Sequence, residues 1–320
     1  MHYSPLARDG LILVSRITEH VDDSRALRRD VERGLLVALR RGAFVERSTW
    51  DESDSRDRHL LRARAAIAAA SRPCALAGLS AAAVWGMPIA GDWPAEVTML
   101  DEWRGGGRSE PGVRKTAAGF ATAQIELIDG IRVTSLARTA LDVSRLATIS
   151  DAVGSVDWAL WRKNPRAVTV QDLITELESL HPRTGGRQLR RVIGFATSLS
   201  DSFGESTTRA VIHQLGFAPP ELQVEFRDAE GLIVPDFFWR ETRQVAEFDG
   251  KAKYTRAEFT KGDPVEVLWK EKKREDRLRR VGCGVTRILT EHVAQPRRLE
   301  RLLLDAGIPR GGETTSRREA

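Results

Sequence analysis

Apolar residues recur along this chain with two periods, and the switches between them divide it into elements. "DDSRALRRDVERG" offers Asp23 or Ser24 as N-cap, sets Leu27 and Val31 on one side and stops at Gly34, which predicts a helix. "LILVSRITEHV", residues 11–21, carries the same helical spacing and predicts a helix before it. "LLVALRRGAFVE" reads as a hairpin turning near Arg40, Arg41 and Gly42. Helix, helix and basic-tipped hairpin is the order of a winged helix-turn-helix, expected over residues 1–50. Its outer face crowds Arg25, Arg28, Arg29 and Arg33, and its tip Arg40 and Arg41, so these six are candidate DNA contacts.

A polar break, "STWDESDSRDRH", precedes a middle domain expected over 60–165. It mixes an Ala-rich helix in "ALAGLSAAAVWGMPI", strands in "AEVTML" and "DGIRVTS", and a helix in "LARTALDVSRLA", the pattern of an α/β unit. "RGGGR" at 104–108 opens no helix, so it predicts a flexible turn rather than a phosphate loop. A third domain is expected over 189–308 and a disordered tail over 309–320. The fold class is thus α/β (α+β), in several domains.

The third domain holds the unusual chemistry. "VPDFFWRETRQVAEFDGKAKY" predicts a hairpin turning at Glu241 and Thr242. That register sets Asp236 opposite Glu247 and Phe238 opposite Val245, on one face. Asp249 lies two residues beyond Glu247 and shares the face. Three acids so close repel one another, and hard oxygen ligands at this density suit Mg²⁺ or Mn²⁺. A helix in "ESTTRAVIHQLGF" precedes the hairpin, with Glu205 and Arg209 one turn apart. A helix in "VLWKEKKREDRLRRVG" follows it. Its inward seam is Val267, Glu271, Arg274, Leu278 and Val281, so Glu271 and Arg274 interrupt an apolar stripe, flanked by Glu275. Arg274 has an internal role open to it as well, an ion pair with Glu271 or Glu205.

Composition narrows the class. With 41% hydrophobic and 30% charged residues, the chain is a folded globular one. Its two cysteines are far apart, no CxxC spacing occurs and the six histidines do not cluster, which excludes a zinc site. No stretch reaches the roughly 18 apolar residues of a membrane span, so a cytoplasmic setting without a membrane partner is expected. The net charge of +5 only hints at nucleic acid. Lysine placement says more: six of the eight lysines fall between Lys251 and Lys273, next to the acidic hairpin.

The ordered set of helix with Glu205, "VPDFFW", "QVAEFDG", charged helix and "GVTRIL" resembles the PD-(D/E)XK nucleases, in particular their very-short-patch-repair (Vsr)-like branch. That branch carries D, then ExDG, then [DE]xxR[DE]xxLxxxG. This chain presents Asp236; Glu247, Asp249 and Gly250; and Glu271, Arg274, Glu275, Leu278 and Gly282. Gln223 matches a glutamine common before the core strands. The parent pattern sets a lysine two residues after the glutamate, where this chain has Asp249. The resemblance implies a restriction-endonuclease-like domain that hydrolyses DNA with Mg²⁺ or Mn²⁺ held by Asp236, Glu247 and Asp249. Lys251, Lys253 or Lys273 would meet the phosphate or the attacking water, and Glu205 would anchor the site. The first two parts resemble the AbiEi-type antitoxins of type IV toxin–antitoxin systems, through "RRGAFVE", "LAGLSAAAVWGMP" and "DGIRVTSLARTALDVSR". That resemblance implies DNA binding and a toxin protein as partner, and it opens a second expectation: a non-catalytic regulator that uses the nuclease fold as scaffold.

Overall fold

The computed structural model of the chain describes residues 10–14, 23–101, 110–117, 119–182, 184–250 and 264–311. The chain divides into two compact units, one of residues 1–146 and 168–193, the other of 147–167 and 194–320. Both mix helices with small sheets, an α+β architecture.

The first unit opens with strand β1 (Leu11–Leu13), helix α1 (Asp23–Glu32) and a hairpin of β2 (Leu36–Arg40) and β3 (Ala43–Glu46). The three strands form an antiparallel sheet in the order β1-β3-β2. This corrects the helix expected over 11–21 at its start. Leu11 and Leu13 pack with Ala43 and Ala65 on one side, and Ile12 packs with Leu27 and Leu36 on the other. A strand buried on both faces needs a continuous apolar run, which periodicity alone cannot tell from a helix. The rest of that expected helix, 15–21, lies outside the described residues. α1 buries Leu27 and the chain leaves it through Gly34 at φ 74°, a left-handed conformation that suits glycine.

Two helices follow, α2 (Arg47–Glu52) and α3 (Ser55–Ala68). The "ALAGLSAAAVWGMPI" stretch starts as strand β4 (Ala75–Leu76) and only then becomes helix α4 (Gly78–Trp85). β5 (Val97–Leu100), β6 (Val113–Thr116), β7 (Ile125–Ile128) and β8 (Ile131–Thr134) complete a five-stranded sheet in the order β6-β5-β4-β8-β7. Helix α5 (Leu136–Ser144) packs on α4, whose Ala81, Ala82 and Ala83 are fully buried and let the backbones approach. The "RGGGR" segment lies outside the described residues.

A single boundary is expected between 165 and 189; the chain passes between the units three times, after residues 146, 167 and 193. Helix α6 (Ile149–Leu160) belongs to the second unit, while α7 (Val170–Leu180) and most of α8 (Gly186–Phe195) belong to the first. The reason is packing: α6 lies along α9 (Phe203–Gln214), with Gly154 against the ring of Phe203. A Cβ at Gly154 would stand 2.6 Å from that ring. Gly154→Ala is therefore expected to destabilise the protein by about 1–3 kcal/mol through overpacking. Helix propensity alone would give the opposite sign, a gain of about 1 kcal/mol. Urea unfolding of the two proteins reads the sign directly, and a more stable variant would mean that α6 does not sit this close to Phe203.

The rest of the second unit is a hairpin of β9 (Phe226–Asp228) and β10 (Gly231–Ile233), and a sheet of β11 (Phe237–Trp239), β12 (Gln244–Asp249) and β13 (Gly284–Leu289) in that order. β11 and β12 are antiparallel, joined by a tight turn. β12 and β13 are parallel, so a crossover is required, and helix α10 (Pro264–Arg280) lies within it. Helices α11 (Thr290–Ala294) and α12 (Pro296–Asp305) follow. Each sheet face has its own cover. Phe237, Trp239, Ala246 and Ile288 pack with Val211 and Ile212 of α9 and with Leu299 and Leu303 of α12. Phe238 and Val245 pack with Leu278 of α10 and with Cys283.

Candidate functional site

The hairpin register sets the chemistry of the sheet. Phe237 pairs with Ala246, Phe238 with Val245 and Trp239 with Gln244, the register that the alternation of residues implies. Side chains alternate along β12, so Glu247 and Asp249 stand on the face of Val245, beneath α10, while Ala246 and Phe248 face the other way. Phe248 lies so close to α9 that only glycine fits at 204: a Cβ there would fall 2.0 Å from the ring. Asp236 sits just before β11, and its Oδ2 accepts the backbone N–H of Phe248 at 2.8 Å.

Two of the three acids have arginine partners. Arg274 of α10 donates through Nε to Glu247 Oε1 at 2.6 Å and through Nη2 to the Val234 carbonyl at 2.6 Å. Arg287 of β13 is the parallel partner of Glu247 and donates through Nη1 to Asp249 Oδ2 at 3.2 Å. Asp236 is different. It is partly accessible, yet its carboxyl is pushed up to about 7, first by burial and then by the carboxylate of Glu205. Glu247 adds to the rise, while the Phe248 N–H and Arg274 oppose it. Two nearby negative charges and one nearby cation thus leave an excess of negative potential at Asp236.

Glu205 reaches this cluster from the first turn of α9, where it also completes the cap. Ser202 Oγ accepts the Glu205 N–H at 3.1 Å, and Glu205 Oε2 accepts the Asp201 N–H at 2.9 Å. The Ser202 cap and the bond back to the Asp201 N–H explain its position without reference to any ligand. Gln223 serves a neighbouring network: its amide donates to the Leu199 carbonyl at 2.9 Å and its oxygen accepts from Arg162 at 2.7 Å.

Other expected members stand apart. Glu275 pairs with Arg279 one turn along α10, at 2.7 Å, and supports the helix rather than the acids. Lys273 lies over the exposed ring of Trp269, 3.8 Å from its centroid. Lys251 and Lys253 lie outside the described residues, as does the side chain of Glu271. Among the described residues no three Asp, Glu, His or Cys side chains stand together as metal ligands do. The expected three-acid set is therefore not assembled, because Asp249 turns to Arg287. In the first unit Arg25, Arg28, Arg29, Arg33 and Arg41 are exposed. Arg40 is not available in the same way: it pairs with Glu110 at 2.7 Å and is 19% exposed.

Sequence reasoning missed Arg287. Alternation sets Val285, Arg287 and Leu289 on one face of β13, but only the parallel pairing with β12 brings Arg287 beside the acids. It also missed the arginines of α12, where "PRRLERLLL" places Leu299 and Leu303 on one side and Arg297, Arg298 and Arg301 on another.

Among the described residues no helix is long and apolar enough to cross a membrane. No family model matches the chain, and no curated protein matches it. One solved structure with some likeness is described as the crystal structure of RV2827C protein from Mycobacterium tuberculosis. It is 15% identical over 69% of this chain and 84% of that one, with a TM-score of 0.38, a likeness that carries no argument about function.

Proposed function

We propose that the second unit is a Vsr-like, PD-(D/E)XK-type DNA endonuclease domain that needs Mg²⁺ or Mn²⁺, and that the first unit, with an AbiEi-like winged helix, brings it to DNA. The observation that carries the reading is Asp236, a largely enclosed carboxyl held near 7 between Glu205 and Glu247. A cluster of like charges with one arginine among them is costly to keep, and such perturbed acids gather at functional sites. The donor chemistry fits a hard divalent cation. Magnesium takes one or two protein carboxylates and fills its remaining positions with water and phosphate oxygens. Asp236 and Glu247 supply that pair.

Asp236 and Glu247 would hold such a cation, which would supply an acidified water and charge neutralisation at the scissile phosphate. The residues of the chain do the positioning. The Phe248 N–H orients Asp236 and Arg274 holds Glu247.

The test is the melting temperature of the full chain at pH 8 with and without millimolar Mg²⁺ or Mn²⁺, run beside plasmid cleavage. The expected result is a metal-induced rise together with nicking that EDTA stops. The rise should fade towards pH 6, because ligation requires Asp236 to lose its proton. A second reading has its own support: Arg274 on Glu247 and Arg287 on Asp249 neutralise two acids without metal. That pattern suits a non-catalytic regulator, which would bind DNA equally in EDTA, show no metal-induced rise and leave plasmid intact.

A further inference from the structure

We propose that α12 is a duplex-DNA backbone-binding surface, with Arg297, Arg298 and Arg301 as phosphate contacts. This deepens the nuclease reading and rests on it for the identity of the partner. The helix is sharply two-sided. At about 100° per residue, Arg297, Arg301, Asp305 and Arg298 fall within an arc of about 100°, opposite the buried Leu299 and Leu303. The three arginines are exposed, and none is ion-paired among the described residues. They line an open cavity of about 510 Å³ together with His292, Leu302 and Asp305.

The histidine adds a donor. His292 Nδ1 accepts the backbone N–H of Leu289 at 3.1 Å, so in the neutral ring Nε2 carries the proton. The cavity therefore offers three guanidinium groups, one imidazole N–H and a single carboxylate. Guanidinium groups suit phosphate because their forked donors match its oxygens. The site also lies at the right edge of the sheet. Leu289, which binds His292, is the parallel partner of Asp249, so α11 and α12 leave the sheet where the acid-bearing strand ends.

Single strands are held largely by stacking on aromatic rings. Here the imidazole of His292 is the only ring among the described lining residues, and cationic donors predominate. That balance favours the continuous phosphate backbone of a duplex. Among the described lining residues Asp305 is the one opposing charge.

The experiment is fluorescence anisotropy of the full-length protein with a labelled duplex in EDTA, so that binding is read without cleavage. R297A/R301A should weaken binding about tenfold to a hundredfold at 0.1 M salt and lower the salt slope by about 2. R297K/R301K should restore most of the affinity, and D305N should tighten it. R187A/R191A removes the same charge from exposed positions of α8 and should change affinity much less. Melting temperatures of the α12 variants should match the parent, because only exposed side chains change. Unchanged affinity and slope in R297A/R301A, with a parent that binds, would overturn the surface but leave the nuclease reading intact. So would equal losses in the α8 control. A parent that neither binds nor cleaves duplex DNA would instead remove the nuclease reading, and this surface with it.

Discussion

Asp236→Asn is expected to abolish metal-dependent cleavage and, without metal, to raise the melting temperature at pH 8. The carboxyl is held at about 7, above its ordinary 3.8, so the folded protein binds that proton more tightly than the unfolded chain does. Its contribution to stability is fully present below the unfolded value and is lost as pH rises through the folded one. At pH 8 the ionised carboxylate then costs about 2–4 kcal/mol, the shift being scaled down for partial exposure. Asparagine keeps an oxygen for the Phe248 N–H and removes the charge. Near pH 4 the parent is protonated at 236 and the two proteins should melt together. Glu247→Gln should move stability the other way, because it weakens the hold on Arg274. Cleavage should fall by orders of magnitude in both. A lowered melting temperature for Asp236→Asn, with no Mg²⁺ effect on the parent, would end the case for a metal site.

Asp157→Asn should produce a large loss of stability, about 3–5 kcal/mol, for a different reason. Asp157 is 1% exposed, in α6, and Arg209, in α9, is 8% exposed. Asp157 Oδ2 accepts from Arg209 at 2.9 Å and Oδ1 accepts the Thr197 N–H at 2.8 Å. The guanidinium also donates to the Phe195 carbonyl at 3.0 Å and stacks on the Phe195 ring. Burial pushes the Asp157 carboxyl up, and Arg209 with the hydrogen bonds pulls it back only in part. Pairing thus offsets less than the whole desolvation of the acid, but removing one charge leaves the other without its counterpart. The double change Asp157→Leu with Arg209→Met should cost much less than the sum of the single changes. Denaturant unfolding of the four proteins completes the cycle, and strict additivity would show that the pair is not coupled.

The local grammar of the chain determined a good deal. Turn residues and period-two alternation specified the hairpin from Asp236 to Asp249, register included, because a slip of one residue would expose Phe238 and Val245. The helices carrying Glu205 and Arg274 were equally legible, since each has its own apolar period, whereas "GVTRIL" entered only through the resemblance. What the tertiary structure decided was pairing and burial. Leu11–Leu13 became a strand because both of its faces found apolar cover, a fact about neighbours distant in sequence. α6 joined the second unit because Gly154 admits Phe203 and Asp157 meets Arg209, contacts between residues some fifty positions apart. The parallel register of β12 and β13 placed Arg287 beside the acids, and the rotational phase of α10 gave Arg274 to Glu247. A carboxyl's charge state depends on the solvent it loses and the charges it gains, and both come from segments far along the chain. The position of Asp236 on the sheet was therefore legible in the sequence, while its raised pKa came from tertiary structure, first from burial and then from Glu205 on α9.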